Sequence, residues 1–124
     1  MQEIVERQIS GWKSQIRKGT LELAVLSLLR ERRHYGLELL ERLNQLQLGV
    51  SDGSIYPLLA RLRTEKKVVT EWVDAGIGHS HKYYALTPFG AAVLKGMVAA
   101  WRDYTGSINR ALVGAKEGRD AIKS

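Results

Sequence analysis

The stretch Gly53-Ser54-Ile55-Tyr56-Pro57-Leu58-Leu59-Ala60-Arg61-Leu62 is the most informative part of this chain. One side of it is apolar, because Ile55, Leu58, Leu59 and Leu62 recur at helical spacing. The opposite arc carries small residues, hydroxyls, an aromatic and a cation. Such a face suits a helix that enters the major groove of DNA, since small residues permit close approach while hydroxyls and arginine reach bases and phosphates. An ordinary surface helix explains the same pattern equally well when this stretch is considered alone.

Length and composition narrow the class of protein. The 124 residues suffice for one domain with a modest core, or for one domain and an appended helix, and 44% apolar residues argue against disorder. No run approaches the ~20 apolar residues that span a bilayer, so we expect no membrane segment. The start of the chain has no apolar run that would indicate a secretory signal, which predicts a cytoplasmic protein. The absence of cysteine excludes disulfides, a thiolate nucleophile and zinc-finger spacing.

The charge balance favours a polyanionic partner. Nineteen Lys and Arg against thirteen Asp and Glu leave a formal charge of +6. Residues 51–69 carry four of the cations, Arg61, Arg63, Lys66 and Lys67, against two acids. A second basic group, residues 30–34, falls at the end of a predicted helix. The dipole of that helix explains this group about as well as a nucleic-acid partner does.

Two helices are expected before the basic group. Residues 2–17 form a helix with a narrow apolar seam of Val5, Ile9, Trp12 and Ile16, which must pack on something to be stable. A second, almost wholly apolar helix is expected to begin at Gly19-Thr20, with Thr20 as its N-cap. A short amphipathic helix follows from about residue 37.

The start of the Gly53–Leu62 helix has two candidate caps. If Ser51 is the N-cap, Pro57 lies in the second turn and forfeits the hydrogen bond to the Gly53 carbonyl. If Ser54 is the N-cap, Pro57 sits at the third helical position and loses nothing.

The order of elements predicts a mostly α fold with a small β-hairpin wing, namely a winged helix-turn-helix. Residues 68–73 and 82–86 are rich in β-branched and aromatic side chains, and Gly76-Ile77-Gly78 supplies a turn between them. Thr87-Pro88 starts a long last helix. Its apolar stripe is too long for a small domain to bury and predicts a partner, most simply a second copy of the chain: Leu94, Val98, Trp101, Thr105, Ile108 and Leu112.

The chain resembles the PadR family of bacterial transcriptional regulators over roughly residues 18–104. Four segments in register carry the resemblance: Lys18-Gly19-Thr20-Leu21-Glu22-Leu23, His34-Tyr35-Gly36-Leu37-Glu38-Leu39, Gly53–Leu62, and Lys82-Tyr83-Tyr84-Ala85-Leu86-Thr87-Pro88-Phe89-Gly90. The resemblance implies a homodimer that binds double-stranded DNA at a pseudo-palindromic operator, usually represses transcription and is often released by a small molecule. The expected division is an N-terminal helix that packs in the dimer over 1–17, a winged helix-turn-helix over 18–87, a dimerisation helix over 88–113 and a polar, frayed tail over 114–124.

The resemblance also implies roles for individual residues. The helix 51–66 looks like the recognition helix, and Tyr35 begins the preceding helix, where exposed amides favour an anion. Simple packing is an alternative role for Tyr35 and for Tyr56. The DNA contacts expected on this basis are Tyr35, Ser51, Ser54, Tyr56, Pro57, Arg61 and Lys82.

Trp101 is the candidate for sensing a small, flat aromatic effector, because some relatives stack such compounds on a tryptophan in this part of the last helix. Trp12 could face it across a dimer interface. A dimer-core tryptophan with no ligand is the alternative for Trp101.

The chain departs from the family pattern at two places. The wing tip reads Gly78-His79-Ser80-His81 where relatives usually carry arginine and more glycine. With neutral imidazoles the tip loses charge, so wing contacts should strengthen from about pH 7.5 to about pH 6. His79 and His81 could also share a metal ion, but no third ligand is evident, and neither a metal nor a cofactor is expected. At Lys66-Lys67-Val68, where the family tends to place a glycine, the helix is expected to run on.

No catalytic pattern stands out. The chain lacks a nucleophile motif, a glycine loop for phosphate and a close carboxylate pair, so we expect no enzyme. The remaining alternative is a winged-helix module that binds other proteins and no specific DNA.

Overall fold

The computed structural model describes residues 1–74, 76 and 80–123, without the side chains of 115–123. Within those ranges the elements are α1 (Gln2–Glu31), β1 (His34–Tyr35), α2 (Gly36–Gln45), α3 (Asp52–Thr64), β2 (Val68–Asp74), β3 (Ser80–Leu86) and α4 (Pro88–Lys123). The fold is thus mostly helical with a small antiparallel sheet, which confirms the predicted fold class. None of the helices in the described ranges combines the length and hydropathy that a bilayer crossing requires.

The predicted break near Gly19 is wrong, because α1 is one helix of 30 residues. Thr20 does not cap a new helix. Its hydroxyl donates to the Ile16 carbonyl one turn earlier, at 2.8 Å. A single glycine costs a helix only about 1 kcal/mol, and the buried second half of α1, which includes Val25, Leu26, Leu28 and Leu29, stabilises the helix through it.

The core of residues 1–94 is formed where α1, α2 and α3 meet the sheet. Leu39 and Leu43 of α2 are fully buried, as the short amphipathic pattern predicts. The apolar side predicted for the Gly53–Leu62 helix is buried as well, which confirms that prediction. Its residues are Ile55, Leu58, Leu59 and Leu62. Because this apolar side is buried, the opposite side of α3, which includes Tyr56 and Pro57, lies at the surface.

The sheet has three strands in the order β1-β3-β2, one more than the predicted hairpin. The extra strand pairs His34 with Tyr84 and Tyr35 with Tyr83. A two-residue strand has no alternation from which a sequence pattern could reveal it. It ties the start of α2 directly to the wing formed by β2 and β3.

The expectation that the recognition helix runs through Lys66 is wrong. α3 ends at Thr64, and Lys66 takes a φ of 63°, the left-handed conformation that glycine adopts most easily. The Lys67 N–H donates to the Leu62 carbonyl at 2.9 Å and the Lys66 N–H to the Arg63 carbonyl at 3.0 Å. This pair of bonds is a Schellman motif, in which Lys66 takes the left-handed position.

The start of α4 at Pro88 is as predicted. The Thr87 hydroxyl oxygen accepts the Gly90 N–H at 2.9 Å, and the hydroxyl donates to the Lys66 carbonyl at 2.7 Å. A side chain at Gly90 would overlap the Lys67 carbonyl oxygen, so only glycine permits this close approach. The end of α3 and the start of α4 are thereby joined.

A second compact unit begins at Lys95. Its helix continues through 114–123, which the sequence pattern assigned to a frayed tail. Several apolar side chains of the predicted stripe lie exposed on it, namely Trp101, Ile108 and Leu112.

Candidate nucleic-acid interface

The start of α3 presents the predicted hydroxyls to solvent. α3 begins at Asp52 with Ser51 as the N-cap residue, so the alternative of a Ser54 cap is wrong. The hydroxyl oxygens of Ser51 and Ser54 lie 3.2 Å apart, and both residues are exposed. Pro57, also exposed, consequently lies in the second turn and removes one helical hydrogen bond, the bond to the Gly53 carbonyl.

Tyr56 lies on the open face of α3 and against the next helix. Its side chain is 44% exposed. A Cβ added at Gly36 would stand 2.5 Å from Cε1 and 3.0 Å from the phenolic oxygen of Tyr56, so the ring lies directly on the first residue of α2. Packing on Gly36 and partial exposure thus occur together in this residue.

Tyr35 connects the start of α2 to the wing. It is the N-cap residue of α2, and its backbone N–H donates to the Glu38 carboxylate at 3.3 Å. Its ring stacks on His81 with centroids 4.4 Å apart and meets Tyr83 edge-on at 5.4 Å. Tyr35 is half-buried, and both its expected phosphate contact and the packing alternative stay predictions.

A basic hollow separates α3 from the wing. It is lined by Ala60, Arg63 and Thr64 of α3 and by Lys82 and Tyr84 of β3. The Lys82 ammonium lies over the Tyr84 ring, 5.7 Å from its centroid. Burial raises the pKa of the Tyr84 hydroxyl, although the charge of Arg63 acts in the opposite direction.

Arg63 and Lys82 are the cations available at this hollow. The ion pairs found among the described residues involve neither of them. Arg63 was counted among the cations of this segment but not proposed as a contact. The signal was present, because Arg63 follows Tyr56 by seven residues and therefore falls on the same face of the helix.

Arg61 is exposed, but unlike Arg63 it takes part in ion pairs within the described protein. Its guanidinium lies 3.0 Å from the Glu22 carboxylate and 3.2 Å from that of Glu65. The hydrogen bond to Glu22 is the main reason that the pKa of Arg61 is raised. Lys67 binds the same two carboxylates, at 2.9 and 3.0 Å. Arg61 therefore fastens α3 to α1, and its expected role as a DNA contact would require it to leave these partners.

Residues 25–96 match the model of the transcriptional regulator PadR-like family, which is more than half of the chain. The chain belongs to the PadR-like family. It is 31% identical to a PadR family transcriptional regulator from Eggerthella lenta, with a TM-score of 0.80 over 89% of this chain and 96% of that one. A PadR-like transcriptional regulator from Bacillus cereus is 34% identical, with a TM-score of 0.73 over 79% and 96% of the two chains.

A PadR-like transcription factor from Bacteroides fragilis is 35% identical, with a TM-score of 0.68 over 81% of this chain and 97% of that one. The family and these structures are those of transcriptional regulators and not of enzymes.

The wing tip of this PadR-like chain is described only in part. His79 lies outside the described residues, so the predicted pH dependence of the tip and the His79–His81 metal alternative stay predictions. His81 itself is stacked on Tyr35. Among the described residues, no three His, Asp or Glu side chains are grouped closely enough to hold a metal ion.

The two tryptophans proposed for effector sensing are both exposed. Trp12 lies with Val5, Ile9 and Ile16 on the open seam of α1 and is 59% exposed. Trp101 is 42% exposed on α4. Each belongs to a face that the isolated chain leaves uncovered.

Proposed function

We propose that the protein is a sequence-specific DNA-binding regulator that works as a homodimer in the cytoplasm and represses transcription. The observation that carries the proposal is the basic hollow beside the open face of α3, where Arg63 and Lys82 are free of ion pairs with the described residues. The start of α3, with Ser51, Ser54, Tyr56 and Pro57, would enter the major groove. The hollow would then receive the neighbouring phosphates, because two unpaired cations at a concave surface favour an anion.

The exposed seams support a homodimer. The α1 seam and the apolar residues of α4 are surfaces that a soluble protein seldom leaves open to water. A second copy would cover them, and the two recognition helices would meet half-sites about 34–36 Å apart.

A small aromatic effector is the third part of the proposal. Trp12 and Trp101 would contact a flat aromatic compound in the dimer, and its binding would change the separation of the recognition helices. Planar aromatic compounds should then quench tryptophan emission, and Trp101→Ala should abolish this quenching while Trp72→Phe retains it. Quenching that survives in Trp101→Ala would contradict the role of Trp101.

The test of DNA binding is a titration of fragments of the neighbouring genomic DNA at a series of salt concentrations. We expect specific affinity that falls steeply with salt, since each phosphate contact contributes about −0.9 to the log–log slope. Arg63→Gln and Lys82→Gln should each reduce the slope by about one contact, whereas Lys13→Gln on α1 should leave it unchanged. Failure to bind any fragment specifically would favour the protein-interaction alternative.

A further inference from the structure

Trp72 of β2 is an unusually exposed aromatic residue. Its side chain is 68% exposed, and no aromatic side chain in the described ranges is more so. Burying an indole would contribute favourably to folding, yet most of this one lies in solvent, and its ring takes no part in the aromatic pairs of the Tyr35–His81–Tyr83 cluster. A single exposed apolar side chain is common on protein surfaces, so the residues around Trp72 decide whether it belongs to a binding surface.

The strand register places Trp72 on the same face as the basic hollow. Trp72 pairs with Lys82, and Thr70 pairs with Tyr84. Directly opposed residues of an antiparallel pair point to the same side, and successive residues alternate. Trp72 therefore shares its face with Lys82 and Tyr84, which line the hollow, and extends that surface toward the tip of the wing.

The opposite face of the wing has a different character. Glu71 pairs with Tyr83 and Val73 with His81, so the aromatic cluster belongs to that side. Glu71 there binds Arg33 at 3.1 Å, and the Arg33 guanidinium lies 5.0 Å from the centre of the Tyr83 ring. The charges on that side are paired. Among the described residues of the wing, the exposed indole and the Lys82 ammonium, which forms no ion pair, lie together on the hollow side, which also carries Asp74.

A flat apolar ring beside unpaired cations fits a partner that alternates negative and apolar groups. The sugar–phosphate backbone of DNA has this composition, with a phosphate for the ammonium and a deoxyribose for the indole. The indole N–H adds one donor for a phosphate oxygen. An apolar protein surface fits less well, because it would desolvate Lys82 without pairing it.

We propose that Trp72 is a DNA contact, with its indole lying on a deoxyribose of the strand whose phosphate Lys82 binds. The inference rests on the proposed DNA binding and adds to it an uncharged contact made by the wing. Such a contact contributes affinity without releasing counterions, so it strengthens binding equally at every salt concentration. It is also indifferent to base identity, since every nucleotide carries the same sugar.

The experiment compares Trp72→Ala and Trp72→Phe with Val69→Ala, which alters an exposed apolar residue of the same strand on the opposite face. Affinity for a duplex that the unaltered protein binds is measured over a range of salt. Trp72→Ala should bind about tenfold more weakly with an unchanged log–log slope, as expected for the loss of one aromatic contact. Trp72→Phe should lose less than about threefold, since it keeps a ring, and Val69→Ala should match the unaltered protein.

Protection from acrylamide supplies a second measurement. The duplex should shield part of the tryptophan emission from quenching, and Trp72→Phe should remove that shielding although Trp12 and Trp101 remain. This arm needs no variant that loses the ring entirely, so it stands if Trp72→Ala does not fold.

The outcomes separate the inference from the function on which it rests. If the unaltered protein binds no duplex, the proposed function fails. If it binds, and Trp72→Ala binds equally well or DNA still shields the emission of Trp72→Phe, only the Trp72 contact is overturned. A weakened dimer in sedimentation of Trp72→Ala would assign the residue to an interface between copies and would also overturn it.

Discussion

At the scale of single residues, Tyr56 packs on Gly36 of α2 and is also a proposed DNA contact. Its ring needs the space that only a glycine at position 36 leaves, while the residue as a whole stays 44% exposed. The side chain of position 36 therefore controls the position of the Tyr56 hydroxyl. Such a pair should behave as one unit in mutational experiments, because either residue alone decides whether the ring lies on α2.

Gly36→Ala should displace the Tyr56 ring and lower both stability and DNA affinity. The added methyl would stand 2.5 Å from Cε1, and overpacking of this kind costs about 1–3 kcal/mol. The chain should still fold, since the half-exposed ring can swing outward. Chemical unfolding and duplex titration of Gly36→Ala, Tyr56→Ala and the double variant form a cycle. In Tyr56→Ala the methyl has room, so the effect of Gly36→Ala on stability should vanish there. Additive effects would contradict the contact.

His34 is a buried imidazole that the fold holds neutral. Its Nδ1–H donates to the Arg32 carbonyl at 2.9 Å, and its Nε2 accepts from the Arg42 guanidinium at 2.8 Å. Arg42 in turn binds the Glu31 carboxylate at 2.7 Å. Burial is the main reason that the pKa of His34 is lowered, and a proton on Nε2 would also face the Arg42 donor.

Stability should therefore fall as the solution becomes mildly acidic. Because the pKa of His34 is lower in the folded than in the unfolded chain, the unfolded chain binds more protons between those two values. The free energy of unfolding should be at its plateau above about pH 6.5 and decrease below it, by at most about 1.4 kcal/mol per pH unit. Urea unfolding of the unaltered protein and of His34→Gln between about pH 5.5 and pH 8 tests this. His79 and His81 are common to both, so an equal slope in the two proteins would exclude His34 as its source.

At the scale of the elements, α2 and α3 end in the same way. Lys66 and Gln47 both have a φ of 63°. At the end of α2 the Leu48 N–H donates to the Leu43 carbonyl at 3.1 Å and the Gln47 N–H to the Asn44 carbonyl at 2.9 Å, which repeats the Schellman motif of α3. Neither position carries the glycine that this conformation favours.

Lys66→Gly and Gln47→Gly should each stabilise the protein by about 1 kcal/mol, because glycine relieves the left-handed strain at these positions. Thermal and urea unfolding measure the gain. Gln47→Gly leaves the charge unchanged, so it separates the backbone effect from the loss of a cation at position 66. Gly76, whose φ is 115°, offers the opposite control, since Gly76→Ala should destabilise. Destabilisation by both glycine substitutions would contradict the assigned strain.

Periodicity was sufficient for α2 and α3, because each buries one face at helical spacing, and the β-branched and aromatic composition was sufficient for the hairpin. It failed where the outcome depends on residues distant in sequence. The continuity of α1 through Gly19 depends on packing after that residue, and the ion pairs of Arg61 join positions that are 39 residues apart in the case of Glu22. Arg63 differs from Arg61 only in the face of the helix that it occupies. Counting charges along the sequence therefore predicted a basic surface around α3. It did not show that Arg63, rather than Arg61, is the arginine without an ion pair among the described residues.

At the scale of the whole molecule, the α1 seam is an apolar surface that the single chain leaves exposed. Val5, Ile9, Trp12 and Ile16 are 38–59% exposed, although their spacing is that of a packed helix. The same helix is buried in its second half and is bonded to α3 through Glu22. A partner of the seam would therefore be connected to the proposed recognition helix through one continuous element.

Ile9→Glu should separate the proposed dimer without unfolding the protomer. Its side chain is 46% exposed in the single chain, so the charge costs the fold little, whereas in an interface it would be buried without a partner. Sedimentation should show a concentration-dependent dimer for the unaltered protein and a monomer for Ile9→Glu, with equal helix content by circular dichroism. Ser10→Glu adds the same charge to the adjacent, exposed position off the seam and should still dimerise. Affinity for a two-half-site duplex should drop by about 10²-fold or more in Ile9→Glu only, because the second half-site is no longer bound by a linked copy. Equal dimerisation of the two variants would remove the α1 seam from the interface.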